Sequence, residues 1–186
     1  EDLRDLEKIN QIDKVEILAN LLPSKVASML SLKSISEDLS ISDKTIKNWI
    51  QKLESLYYCF QIYPYGTNKV KSIKKTPKLY LWDWSQVTDE GARFENLVAS
   101  QLLKYCHFLE DTMGHKMNLS YLRDSTKKEC DFIVSKDGEV LFAVECKLKD
   151  SSIDPNIKYF KERLDNVPMW YPVSYTHLRA HETRHD

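Results

Sequence analysis

The stretch ECDFIVSKDGEVLFAVECK, Glu129 to Lys147, sets an acidic residue ahead of one apolar run and a Glu-x-Lys at the end of the next. Asp131 and Glu145 offer hard carboxylate oxygens of the kind that hold Mg2+, and the backbone carbonyl of Cys146 can add a third oxygen. The Lys147 amine can orient or deprotonate an attacking water. Together these groups would cut a phosphodiester. A Glu-x-Lys arises by chance in many strands, and a strand end can also pair Glu145 with Lys147 as a plain rim salt bridge. The order helix Glu, strand Asp, hairpin, Glu-x-Lys is much less common than its parts.

The elements that must position these groups follow from periodicity. NLSYLRD alternates as a strand, CDFIV reads as a second and EVLFAVECKLK as a third, with Lys136-Asp137-Gly138 turning between the last two. In the third strand Val140, Phe142, Val144 and Cys146 should face one side, and Leu141, Ala143, Glu145 and Lys147 the other. Loop length then decides the site. A two-residue Asp137-Gly138 turn puts Asp131 and Glu145 on opposite faces, whereas a three-residue loop with Gly138 at positive φ puts them together.

Ahead of these strands, DEGARFENLVASQLLKYCHFLE reads as a helix beginning at Asp89 or Gly91, with Phe94, Leu97, Val98, Leu102 and Tyr105 on one face. Glu95 lies beside that stripe and could complete a metal shell.

The first half carries a different signal. Val15, Ile17, Leu18, Leu21 and Leu22 have helical spacing, Pro23 interrupts, and Val26, Met29 and Leu30 resume, so two helices are expected. SISEDLSIS gives a short helix and a tight turn at Ser40 to Ser42. Ser42 or Asp43 then caps a helix whose apolar stripe runs Ile46, Trp49, Ile50, Leu53, Leu56 and Tyr57, leaving Lys44, Lys47, Asn48, Gln51 and Lys52 outside. This is a helix-turn-helix. The runs YYCFQIYPY and KVKSIKKTPKLYLWD, separated by Gly66-Thr67-Asn68, add a hairpin and so make a winged helix.

Between residues 44 and 78 the lysines 44, 47, 52, 69, 71, 74, 75 and 78 face Glu54 alone, in a chain whose net charge is −1. Lys44, Lys47, Lys52, Lys69, Lys71, Lys74 and Lys75 are the expected nucleic-acid contacts. No arginine lies on the recognition helix, so phosphate contact with little sequence choice is the expected mode. The opposing reading is a protein-protein joint, with lysines guarding a sheet edge.

A chain of 186 residues with 42% hydrophobic and 11% aromatic residues can bury a core in one or two small domains. No apolar run approaches a membrane span, and no secretory signal pattern opens the chain. Cys59, Cys106, Cys130 and Cys146 are widely spaced, which fits reduced thiols in a cytoplasmic protein. With no initial Met and Glu1 already inside an amphipathic pattern, the chain is expected to be the downstream part of a longer one. At the other end His177, His181 and His185 recur every four residues like metal ligands. Residues Pro172 to Thr183, however, resemble the translation of a transposase adapter used in sequencing libraries. They are set aside with the histidines, and residues 172–186 are expected to be disordered.

Asp131, Glu145, Lys147 and the helix carboxylate Glu95 resemble the motif residues of the PD-(D/E)XK restriction-endonuclease-like fold. More widely, KTPKLYLWD, GARFENLVASQLL, YLRDSTKKECDFIV and FAVECK resemble the C-terminal half of a prokaryotic family of AAA-type ATPases. In that family a P-loop domain precedes a winged helix and a nuclease-like domain. The likeness spans roughly residues 10 to 171. It implies an α+β or α/β chain: N-terminal helices and a winged helix over residues 1–84, then a truncated restriction-endonuclease-like mixed sheet flanked by helices over 85–171. It also implies a possible Mg2+ cofactor, DNA as partner and an upstream ATPase domain. No G-x-x-x-x-G-K-[ST] is present, so ATP belongs to the missing N-terminal part. A last strand should follow YFKERLDNVPMWY, and its replacement by adapter would leave a sheet edge uncovered. Two functions follow as expectations: a Mg2+-dependent DNA endonuclease, or a non-catalytic DNA-binding or protein-interaction module of the ATPase.

Overall fold

The computed structural model describes residues 3–66, 76–124, 126–148, 155–164 and 167–173. Helix α1 (Leu3–Leu21) runs into a 3-10 turn at Leu22–Lys25, where Pro23 sits near the start. The second helix expected around Val26, Met29 and Leu30 does not form. Ala27 has φ +59°, and the segment turns to run beside a strand, with Ala27 N–H donating to Leu79 O (3.2 Å) and Leu30 N–H to Pro77 O (2.8 Å). Its backbone donors are satisfied by that strand edge rather than by a helical turn.

Helices α2 (Leu32–Leu39) and α3 (Asp43–Ser55) form around the expected turn. Ser31 Oγ accepts from Ser34 N–H and Ser42 Oγ from Thr45 N–H, both at 3.2 Å, so each helix opens on a serine cap. Ser40 takes the left-handed conformation that ends α2. Ile46, Trp49, Ile50 and Leu53 are buried as expected, but Leu56 and Tyr57 are both 74% exposed. The helix stops at Ser55 and Tyr57 turns at φ +58°, which rotates both residues off the stripe.

Strands β1 (Cys59–Pro64) and β2 (Lys78–Leu81) pair antiparallel, in register from Cys59↔Leu81 to Ile62↔Lys78. They are not a separate wing sheet. Tyr63 and Pro64 also pair parallel with Ser120 and Tyr121, so the two strands join one six-stranded mixed sheet of order β2-β1-β3-β4-β5-β6 that crosses residue 84.

Helix α4 (Glu90–Met113) starts at Asp89, whose Oδ1 accepts from Ala92 N–H (2.8 Å), and ends at Gly114 in the left-handed conformation (φ +69°). Its most buried residues are Asn96, Ala99, Ser100 and Cys106, while Tyr105 of the expected stripe is 41% exposed. The difference is steric and polar. Small side chains let the helix approach the sheet, and Asn96 accepts from Leu81 N–H (2.9 Å) and donates to Leu81 O (2.7 Å). That clasp fixes α4 against the end of β2.

Strands β3 (Met117–Arg123), β4 (Glu129–Lys136) and β5 (Glu139–Val144) are antiparallel neighbours, followed by α5 (Pro155–Arg163) and β6 (Met169–Trp170). β6 lies parallel on β5, and Lys147 pairs with Val173 beyond it, so the edge expected to be uncovered is partly covered. Pro172 and Val173 belong to this pairing, and the rest of the supposed adapter lies outside the described residues. One face of the sheet packs with α3 and α4 through Phe132, Val134 and Val144. The other carries Leu122, Cys130, Ile133 and Ala143 against Phe160 and Leu164.

Candidate acidic centre

Two bulges decide where the carboxylates point. The turn between β4 and β5 has two residues, Asp137 (φ +53°) and Gly138 (φ +92°), with Lys136 opposite Glu139. That even count would separate Asp131 from Glu145. The register then slips: Ser135 faces Val140 but Val134 faces Phe142, leaving Leu141 as an extra residue in β5. Beyond it Phe132 faces Val144, the last pair of the ladder, and the Asp131 and Glu145 that follow lie close enough for the Asp131 charge to act on Glu145. The odd residue is in the strand and not in the loop. For the same reason Val140 packs on the α5 side while Phe142 packs on the α4 side, so the expected single face of Val140 and Phe142 is broken. A second slip, from Ser120↔Ile133 to Leu122↔Cys130, puts an extra residue into β4 at Asp131–Phe132 and carries Asp131 toward α4.

The carboxylates therefore meet around a lysine. Lys78, 2% exposed, extends from β2 so that its Nζ lies 2.5 Å from Glu129 Oε1, 3.1 Å from Glu95 Oε1 and 3.9 Å from Asp131 Oδ1. Tyr80 Oη donates to the same Glu95 oxygen at 2.7 Å, and Arg123 Nη1 holds Glu129 Oε2 at 3.1 Å. Asp131 Oδ2 accepts Cys146 N–H at 2.8 Å, and Lys147 Nζ donates to Glu145 Oε1 at 3.3 Å. Glu145 and Lys147 are thus neighbours as expected. Glu95 is drawn into the lysine clamp.

Charge is unevenly compensated. Burial pushes Glu145 up, the neighbouring Asp131 charge pushes it further and Lys147 only partly offsets both, leaving it at about 7. Glu95 also stands at about 7, raised by burial and by Asp131 against the pull of Lys78. Asp131 is raised chiefly by burial. Burial alone would lower Lys78, but Glu95, Glu129 and Asp131 reverse that and hold it charged. Burial also pushes the Cys146 and Cys130 thiols up, so neither supplies a thiolate.

Lys78, Tyr80 and Glu129 were not among the residues the sequence singled out for the centre. Lys78, one of the eight lysines between residues 44 and 78, is buried and does not face a polyanion. Period two in KLYL puts Lys78 and Tyr80 on one face, and Glu129 precedes Asp131 by two, so strand alternation held the signal. Of the expected nucleic-acid contacts, Lys44, Lys47 and Lys52 are exposed on α3, while Lys69, Lys71, Lys74 and Lys75 lie outside the described residues. Among the described residues no three His, Cys, Asp or Glu side chains form a metal-ligating group. No helix among them is long and apolar enough to cross a membrane.

Residues 90–182 match the family described as a domain of unknown function (DUF4143), and residues 1–88 match another domain of unknown function (DUF8612). The chain is similar to the uncharacterised protein MJ1544 of Methanocaldococcus jannaschii, at 26% identity over 89% of this chain and 39% of that protein. It is also similar to the uncharacterised protein MJ1637 of the same organism, at 29% identity over 56% of this chain and 25% of that protein. The chain spans less than half the length of these curated relatives. No solved structure matches.

Proposed function

The chain belongs to the DUF4143 family, and from that premise and the meeting of Asp131 with Glu145 we propose a divalent-cation-dependent nuclease-like module acting on DNA, carried at the C-terminus of an ATPase. Domains of this family are often found at the C-terminus of AAA ATPase-like proteins. The observation that supports this chemistry is the bulged register that brings Asp131 near enough for its charge to raise the Glu145 carboxyl, with Lys147 bonded to Glu145.

The donor set fits Mg2+. This ion is commonly held by one or two carboxylates, with water and substrate phosphate completing its shell, so a third protein carboxylate is not needed. Asp131, Glu145 and the Cys146 carbonyl would hold it. When bound, it would stabilise charge on the phosphoryl oxygens and acidify a water. Lys147, beside Glu145, would orient that water. The Cys146 N–H fixes Asp131, and the Asn96 clasp with Tyr80 and Lys78 fixes Glu95. Lys44, Lys47 and Lys52 would bring the duplex in by phosphate contact.

Full-length protein, with its ATPase part, should nick supercoiled plasmid with Mg2+ or Mn2+, and Asp131→Asn should not. Intact plasmid under both metals overturns the reading.

One observation favours the alternative of a non-catalytic DNA-binding or interaction module: Lys78 already neutralises much of the acidic cluster. In that case the plasmid stays intact, while salt-sensitive DNA binding persists in Glu145→Gln.

A further inference from the structure

Lys78 is held more firmly than any surface lysine. Its backbone lies in β2, opposite Ile62 and beside Met29, and the Asn96 clasp on Leu81 fixes the strand end. Its side chain is 2% exposed. The ammonium receives carboxylates from two elements: Glu95 on α4, and Glu129 and Asp131 on β4, with the Tyr121 ring 5.7 Å away. Without a cation between them these acids would repel one another in a poorly solvated site.

Asp131 stands at a border. Its Oδ1 turns toward Lys78, while Oδ2 takes the Cys146 N–H on the side of Glu145. The centre thus has two adjoining places for positive charge, one among Glu95, Glu129 and Asp131 and one beside Asp131 and Glu145. The first is filled by the chain itself.

We propose that the Lys78 ammonium permanently occupies a cation position in this centre, standing where a second divalent ion would otherwise bind, so that the protein takes one divalent ion and not two. This rests on the metal reading above for the Asp131–Glu145 position. A second ion in the Lys78 position would have to share Glu95 and Asp131 with a fixed ammonium, and like charges at that range exclude each other.

The test is a Mn2+ titration of nucleotide-free full-length protein, with free Mn2+ read by electron paramagnetic resonance and melting followed in parallel. Ions are counted against an Asp131→Asn, Glu129→Gln background. Wild type should bind one ion above background and Lys78→Met two. Lys78→Met should melt lower without metal and gain about 5–10 °C more than wild type at roughly 100 times its dissociation constant. Two ions in wild type would overturn the proposal without recourse to any variant. So would a Lys78→Met protein that binds no more Mn2+ than wild type, or that fails to fold with and without Mn2+. If wild type binds none but Lys78→Met binds one, the lysine's role stands and the metal reading at Asp131–Glu145 falls.

Discussion

Two regions of the sheet bury carboxylates, and they treat them in opposite ways. Asp124, 6% exposed at the end of β3, is saturated with donors. Thr126 N–H and Oγ1 reach its Oδ1 at 2.8 Å and Lys128 N–H at 3.1 Å, while Tyr159 Oη donates to Oδ2 at 2.5 Å. Lys128 and Arg163 both lie against the Tyr159 ring, at 3.8 and 4.1 Å from its centroid. Burial would raise the Asp124 carboxyl, but these hydrogen bonds outweigh it and hold it below the usual range. In the acidic centre Glu95 and Glu145 stay near 7 because burial and mutual repulsion exceed the help from Lys78 and Lys147. Burial is shared; the supply of donors differs. A saturated carboxylate ties α5 to the β3–β4 loop, whereas the short-supplied cluster is where a cation is proposed to bind.

Substitutions can break this contrast. The largest effect is expected from Asp131→Asn, which should reduce plasmid cleavage to background. Lys147→Met follows, with a fall of about 10²–10⁴-fold if its amine orients or deprotonates the attacking water, read from single-turnover cleavage rates. Asp124→Ala should instead leave cleavage at 25 °C unchanged and cost about 3 kcal/mol of stability, a drop of about 6–12 °C in Tm. A cleavage defect in Asp124→Ala matching that of Asp131→Asn would erase the distinction.

pH sharpens it. Glu95 and Glu145 have folded values near 7, above their ordinary 4.5, so the folded chain holds extra protons between those limits. Their contribution is greatest below the ordinary value and is lost as pH rises toward 7, by about 1.4 kcal/mol per pH unit for each extra proton. Asp124 is lowered, so its contribution is present above its ordinary 3.8 and is lost as pH falls through its folded value. Melts at pH 5 and 7.5 should show a slope that flattens in Glu145→Gln and persists in Asp124→Ala. The smallest effect belongs to α3: replacing Lys47 by Ala should reduce the salt slope of DNA binding by about 0.9 with little change in cleavage chemistry.

The parts of this molecule written in local chemistry were legible in its sequence. The Ser42 and Asp89 caps, the Ile46 to Leu53 stripe and the Glu145–Lys147 neighbours all follow from spacing within one element. What distant partners decide was not legible. The bulge at Leu141 depends on cross-strand packing, so loop length, which left both parities open, did not decide the face of Asp131 even though the turn was correctly located. Lys78 read as one more surface lysine because its carboxylates come from α4 and β4, remote in sequence. The close approach of α4 was hidden because Asn96, Ala99 and Ser100 are not hydrophobic anchors, although they form its buried face.

The central claim is that the short-supplied carboxylates, and not the saturated one, hold a divalent ion. It is tested most directly by Mn2+ binding to nucleotide-free wild type, Glu145→Gln and Asp124→Ala, followed by electron paramagnetic resonance. Wild type and Asp124→Ala should each bind one ion that Glu145→Gln does not. Equal binding by all three proteins would contradict the claim.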